Sequence, residues 1–159
     1  MKRIIINIFM CISILVFSSF IANQKKYKFL IQMTNYEGEG AYVVVSLISP
    51  KGKYEKTLYV QGKDPDWYYE IESWWKFYGK NRTKLDGISG STLSGGERAI
   101  KFIQLDESKI NNGYKIRFES AVEAKNYYEK DIEFKLTDSN LQKKFNGKGF
   151  IRYVRMLPQ

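Results

Sequence analysis

Residues 114–123 read Tyr-Lys-Ile-Arg-Phe-Glu-Ser-Ala-Val-Glu, with apolar and polar side chains alternating at a period of two. In a β-strand successive side chains point to opposite faces of the sheet. The segment therefore predicts a strand with one face on a hydrophobic core, and it is the clearest such pattern in the chain.

Other segments extend this pattern on both sides. Ala41–Ser49 is apolar at nearly every position, which predicts a central strand that is buried on both faces. Tyr127–Leu136 follows the first segment closely and forms a predicted hairpin with it. The remaining predicted strands are Tyr27–Thr34, Tyr54–Val60, Arg98–Leu105 and Gly149–Leu157. Together they predict an all-β fold, an antiparallel immunoglobulin-like sandwich of about seven strands.

One segment changes period and predicts a short inserted aromatic helix. Asp64-Pro65-Asp66 is a typical helix start, with aspartate as the cap and proline in the first turn. Aromatic and aliphatic residues then recur at helical spacing, at Trp67, Ile71, Trp74, Trp75 and Tyr78. The favoured interpretation is that these side chains close one end of the core. The alternative is that Trp74 and Trp75 also contact the ring of a cofactor.

The first residues predict export. Lys2 and Arg3 precede an apolar run over residues 4–17, which is the pattern of a secretory signal. We expect residues 1–22 to be the signal peptide and residues 23–159 to form one β-sandwich domain, located in the periplasm or cell envelope. An uncleaved membrane anchor remains the alternative.

Composition excludes several kinds of site. The chain has no histidine, and its single cysteine, Cys11, lies in the signal segment. Disulfides, thiolate nucleophiles, most metal sites and histidine-dependent triads are therefore not expected. Loss of Lys2 and Arg3 with the signal would take the formal charge from +9 to +7. Because the basic residues are scattered among acidic ones, the favoured interpretation is a solvated basic surface, with anionic partners as the alternative. Export makes nucleic acid an unexpected partner.

The segment Asp86–Gly96, Asp-Gly-Ile-Ser-Gly-Ser-Thr-Leu-Ser-Gly-Gly, is better explained by chemistry than by folding. Glycines and short hydroxyl side chains predict an accessible, flexible loop. A surface loop without function has a similar composition, so the pattern leaves both interpretations open.

Within this loop, residues 86–92 resemble the motif of proteins that receive flavin mononucleotide (FMN) covalently from a flavin transferase. The positions that match are Asp86, Ser89, Gly90 and Thr92, whereas Ser91 stands where the motif has alanine. The resemblance implies that Thr92 is the acceptor hydroxyl, with Ser91 as the alternative. Asp86 is expected to help hold the Mg²⁺ that assists the transfer.

The whole layout is similar to a periplasmic family, the domain of unknown function 2271. The similarity covers about residues 27–136 and includes the helix with Trp74, the loop, and the strand that leads to Glu119 and Glu123. It implies a flavinylated electron carrier that works with membrane redox proteins, and a carrier of this kind has no catalytic residues of its own.

Two other functions remain open. The first is a binding or structural module of the cell envelope that carries no cofactor. The second is a hydrolase that uses carboxylate pairs such as Glu70 with Glu72 or Asp106 with Glu107. It is the weakest interpretation, because the sequence gives no sign of a matched acid and base.

Overall fold

The computed structural model describes residues 24–81, 85 and 89–159. Within these residues the chain forms nine strands, one α-helix and two 3-10 segments. The strands are β1 Gln24–Met33, β2 Tyr42–Ile48, β3 Tyr54–Gln61, β4 Ser89–Gly90, β5 Arg98–Asp106, β6 Lys115–Ala121, β7 Tyr127–Lys135, β8 Lys144–Asn146 and β9 Ile151–Pro158. The helix α1 is Glu72–Asn81, and the 3-10 segments are Pro65–Glu70 and Glu107–Lys109. The predicted signal segment lies outside the described residues.

The strands form two sheets packed face to face, which confirms the predicted β-sandwich. One sheet has the order β5-β1-β9-β8 and the other has the order β4-β3-β2-β6-β7. All pairings are antiparallel except that of β4, which runs parallel to β3. The two strands beyond the predicted seven are β4 and β8, which are only two and three residues long.

The main core lies between the sheets, where alternation directs one face of each strand inward. Phe29 and Ile31 of β1 meet Val43 and Val45 of β2 there, and all four are fully buried. The outer face of β2 is buried as well, because Val44 packs beneath the aromatic helix. The prediction that this strand is central is therefore confirmed.

The predicted helix is divided into a 3-10 segment and α1, which meet at Ile71. Tyr68, Ile71 and Trp74 are all buried against the outer face of the β2 sheet. Side chains that are three residues apart point in the same direction from a 3-10 helix, whereas in an α-helix their directions differ. The tighter first turns therefore let all three reach the sheet. None of the helices in the described part of the chain is long and apolar enough to cross a membrane.

Candidate functional site

The predicted loop lies at the edge of the β3 strand, where backbone hydrogen bonds hold it. Gly90 pairs with Gln61 of β3, and the N–H group of Gly62 donates to the Gly90 carbonyl at 2.5 Å. Three residues further on, Leu93 and Ala41 exchange hydrogen bonds of 2.7 and 3.1 Å. Residues 89–93 are thus attached to the sheet at two points, rather than forming the open loop that their composition predicts.

Tyr36 strengthens the second attachment. Its hydroxyl donates to the carbonyl of Leu93 and accepts from the N–H group of Ala41 at 2.7 Å. Gly95 then approaches the Tyr36 backbone so closely that a Cβ at position 95 would lie 2.8 Å from the Tyr36 nitrogen. Glycine is required here because any side chain would displace this contact.

Thr92 lies between the two attachment points and is half-buried. Its side chain rests against the bare α-carbon of Gly40, and a Cβ at position 40 would lie 2.6 Å from the Thr92 Cβ. The adjacent Ser91 is exposed. The structure therefore fixes the environment of the Thr92 hydroxyl more closely than that of Ser91.

A cluster of polar groups faces Gly90. A Cβ at position 90 would lie 3.2 Å from Lys101 Nζ and 3.3 Å from Gln61 Nε2, and it would also meet the Tyr59 hydroxyl. Lys101 belongs to β5, and its ammonium group lies 5.5 Å from the centre of the Tyr59 ring. The absence of a side chain at Gly90 lets a cation and two neutral polar groups lie close to its backbone, because even a Cβ there would clash with the Tyr59 hydroxyl.

The two tryptophans that the sequence predicts near a cofactor have different surroundings. Trp74 is fully buried, donates to the Thr57 hydroxyl at 2.9 Å and stacks on Tyr78 at 4.7 Å. Trp75 is half-buried and lines a shallow surface cavity of about 430 Å³. The other residues lining the cavity are Pro65, Asp66, Tyr68, Tyr69 and Tyr78. In this conformation Trp75, rather than Trp74, is accessible to a ligand.

Gly62 connects this aromatic cavity with the loop. The hydroxyl of Tyr68, which lines the cavity, donates to the Gly62 carbonyl at 2.9 Å, while the N–H group of Gly62 bonds to Gly90. Gly62 has a φ of +130° and lies against the Tyr42 ring, so a side chain would be strained and would clash. The motif and the aromatic residues are therefore neighbours in the fold.

Of the other motif residues, Ser89 begins β4, and Asp86 lies outside the described residues. The carboxylates named for the hydrolase alternative have different surroundings. Asp106 caps the 3-10 segment that follows it and accepts from the Ser108 N–H group at 2.9 Å. Hydrogen bonds from the Ser108 side chain and backbone lower the pKa of Asp106. Burial raises the pKa of Glu70. The described residues contain no group of three or more ligating side chains that could hold a metal ion.

A buried polar network on the outer face of β6 was not predicted from the sequence. Glu119 is fully buried and accepts hydrogen bonds from the hydroxyls of Tyr54 at 2.9 Å and Tyr127 at 2.5 Å. Burial raises the pKa of the Glu119 carboxyl from 4.5 to about 7. Arg117, also buried, bonds to Glu129 and Glu133 at 2.9 and 2.8 Å. The alternation of side chains along β6 predicts that this face is polar. The position of α1 and its aromatic residues shows that the face is covered.

Comparison with known proteins gives one match. The family model described as a predicted periplasmic protein (DUF2271) matches residues 24–153, which include all strands but part of β9. No curated protein and no solved structure matched the chain.

Proposed function

The chain belongs to this family of predicted periplasmic proteins and is exported, and we propose that it is an electron carrier with FMN joined covalently to Thr92. The observation that carries the proposal is the setting of Thr92 in the motif. Its side chain rests on the bare face of Gly40, and the segment around it is fixed to the sandwich at Gly90 and Leu93. A cofactor attached there would be held at a defined position on a rigid scaffold.

The neighbouring residues fit the two parts of FMN. Lys101 and the Gln61 amide would contact the phosphate, because ammonium and amide N–H groups donate hydrogen bonds to phosphate oxygens. The Tyr59 hydroxyl donates to Gln61 Oε1 at 2.9 Å and so orients that amide. Tyr69 and Trp75 would contact the flat ring system, since their aromatic faces are accessible at the surface cavity near Gly62. Trp74 would support that surface from below through its packing on Tyr78.

The attachment reaction needs a base from outside the chain. In the transfer, the Thr92 hydroxyl oxygen forms a bond to the flavin-side phosphorus of FAD, the pyrophosphate bond breaks, and AMP leaves. The hydroxyl proton passes to the transferase, because this chain has no histidine to accept it. Asp86 would help hold the Mg²⁺ that neutralises the departing phosphate. Once bound, FMN supplies the redox chemistry, with membrane redox proteins as the proposed electron partners.

The test is the intact mass of the exported protein after co-expression with a flavin transferase. We expect a gain of one FMN less water, which disappears in Thr92→Ala and persists in Ser91→Ala. Loss of the gain in Ser91→Ala alone would assign the acceptor to Ser91 instead. An unmodified mass in the parent protein would contradict the proposal.

Gly40→Ala tests the positioning of Thr92 without changing the motif. The new Cβ would overlap the Thr92 side chain and displace its hydroxyl, so we expect the rate of flavin attachment to fall by at least about tenfold. The matched control is Gly79→Ala, where the new Cβ would make only an ordinary 3.7 Å contact with Trp75. Equal attachment in Gly40→Ala and the control would show that this contact does not position the acceptor.

The second candidate function is a cell-envelope binding module without a cofactor. Tyr69 is 53% exposed beside Trp75 in the aromatic cavity, and aromatic surfaces of this kind bind sugars and peptides. An unmodified parent protein in the mass experiment would favour this function.

A further inference from the structure

The two sheets differ in what covers their outer faces. The β2 sheet is covered by α1 and the 3-10 segment, whereas the outer face of the β5-β1-β9-β8 sheet is exposed. Large apolar side chains lie on this exposed face. Ile100 and Phe102 of β5 are each 48% exposed, and the register places Leu30 of β1 beside Ile100. Contiguous apolar groups at a surface are typical of an interaction site.

Basic side chains surround these apolar groups. The register places Lys28 opposite Phe102, and Arg155 opposite both Leu30 and Lys144. Lys26 lies over the Phe102 ring at 4.4 Å, which puts it on the same face. Across the four strands, the basic residues of this face are Lys26, Lys28, Arg98, Lys144 and Arg155.

The positive charge of this face is not neutralised within it. Each residue of β1 is paired with residues of the neighbouring strands, and these paired residues form rows across the sheet. The rows from Lys26–Gln104 to Gln32–Arg98 contain no carboxylate. The salt bridges of the described residues involve other cations. Glu97 and Asp106, at the two ends of β5, lie beyond these rows, and each accepts a backbone N–H group, from Ser94 at 2.6 Å and from Ser108 at 2.9 Å.

We propose that this face docks on an anionic phospholipid surface, independently of any flavin. Ile100 and Phe102 enter the headgroup layer, while the surrounding lysines and arginines contact lipid phosphates. Apolar side chains flanked by basic residues are the combination that binds proteins to membrane interfaces. A lipid bilayer also presents phosphates over a broad, flat area, which matches cations spread over four strands of an open sheet face.

The experiment is cosedimentation with vesicles, using protein from the soluble periplasmic fraction. We expect binding to vesicles of phosphatidylethanolamine with phosphatidylglycerol, little binding to phosphatidylcholine alone, and release at high salt. The double variant Lys26→Glu/Arg155→Glu, at two exposed positions, should weaken binding by at least about tenfold. Phe102→Ser should weaken it without changing the net charge.

The matched control is Lys51→Glu/Lys76→Glu, which makes the same charge change at exposed positions outside this face. It should keep near-parental binding, and near-ultraviolet circular dichroism would check that all variants are folded. Equal losses in the two double variants would overturn the proposal, because only net charge would then matter. Failure of the parent protein to bind anionic vesicles would also overturn it and would leave an acidic protein as the partner of this face.

Discussion

Glu119 and Asp131 lie on adjacent strands of one sheet and are 0% and 1% exposed, yet their hydrogen-bond donors differ in kind. Asp131 accepts from the backbone N–H groups of Lys148, Gly149 and Ile151 at 2.8 to 2.9 Å, and from the Ser120 hydroxyl at 2.5 Å. Among the described residues, the donors to Glu119 are two phenols, those of Tyr54 and Tyr127. The first carboxylate holds a turn in place, whereas the second is a buried group that can gain a proton near neutral pH.

The difference shows how the source of the donors determines what a buried carboxylate does. Backbone N–H groups cannot turn round or titrate, so Asp131 and the turn before β9 depend on each other. The two phenols at Glu119 can turn to accept a hydrogen bond from the protonated acid. Desolvation then outweighs the two bonds and raises the pKa of Glu119 to about 7.

The largest expected effect is that of Asp131→Asn. The amide would present a donor to backbone N–H groups that need acceptors, so we expect the free energy of unfolding to fall by about 4 kcal/mol. Urea unfolding would measure it. The control is Asp138→Asn, where the carboxylate is exposed and bonds to Asn111, and there the change should stay within about 0.5 kcal/mol. A similar, small loss of unfolding free energy in both variants would contradict the role of Asp131 in holding the turn before β9.

The next effect concerns the pH dependence of stability. The native state holds a proton on Glu119 between pH 4.5 and about 7 that the unfolded chain has lost, so stability falls as pH rises through this range. The loss attributable to Glu119 is about 3 kcal/mol, from 1.36 kcal/mol per pKa unit. In Glu119→Gln this part should vanish, leaving the variant close to the parent at pH 5 and more stable at pH 8. Parallel pH profiles of parent and variant in urea unfolding would contradict the assignment.

A smaller effect is expected when Glu119 loses one of its two donors. Tyr127→Phe removes the bond from the Tyr127 hydroxyl, so stability at pH 8 should fall by about 2 kcal/mol. The loss should be smaller at pH 5, where Glu119 is protonated and the bond is neutral. The neighbouring Tyr128→Phe removes only a contact to Asn126 and serves as the control. Equal losses at both pH values would show that the Tyr127 bond does not depend on the charge of Glu119.

The smallest effect is expected from Ser120→Ala, which removes one donor from Asp131 and leaves three backbone donors. We expect a loss of about 1 kcal/mol in urea unfolding, the usual value for one hydrogen bond. At pH 8 this loss should be smaller than that of Tyr127→Phe. A larger loss in Ser120→Ala than in Tyr127→Phe would mean that the three backbone N–H groups do not stabilise the Asp131 carboxylate as described.

Sequence periodicity was sufficient for the long strands and for the sandwich. It failed for β4 and β8, because two or three residues are too short to show a period. It also could not show that Glu119 is buried, since the polar face of β6 is covered by aromatic residues from other parts of the chain. Burial of that kind depends on tertiary packing, which alternation along one strand does not record.

The candidate site shows the same limit. The motif identified Gly90 and Thr92 as residues to examine, and their flavin-related roles stay predictions. Gly40 could not be linked to Thr92 from the sequence, because the two meet only when residues before β2 and after β4 come together. Lys101 was likewise only one position of a predicted strand until its contact with Tyr59 placed it beside Gly90.

The position of β1 has a consequence for the timing of folding. Its two neighbours are β5 and β9, so Tyr27 pairs with Ile103 on one side and Pro158 on the other. Of the described strands, β1 therefore cannot be paired on both sides until β9, the last of them, has been synthesised. Such long-range pairing makes folding slow. Slow closure of this sheet delays the folded state, which favours the passage of a chain that must cross a membrane before it folds.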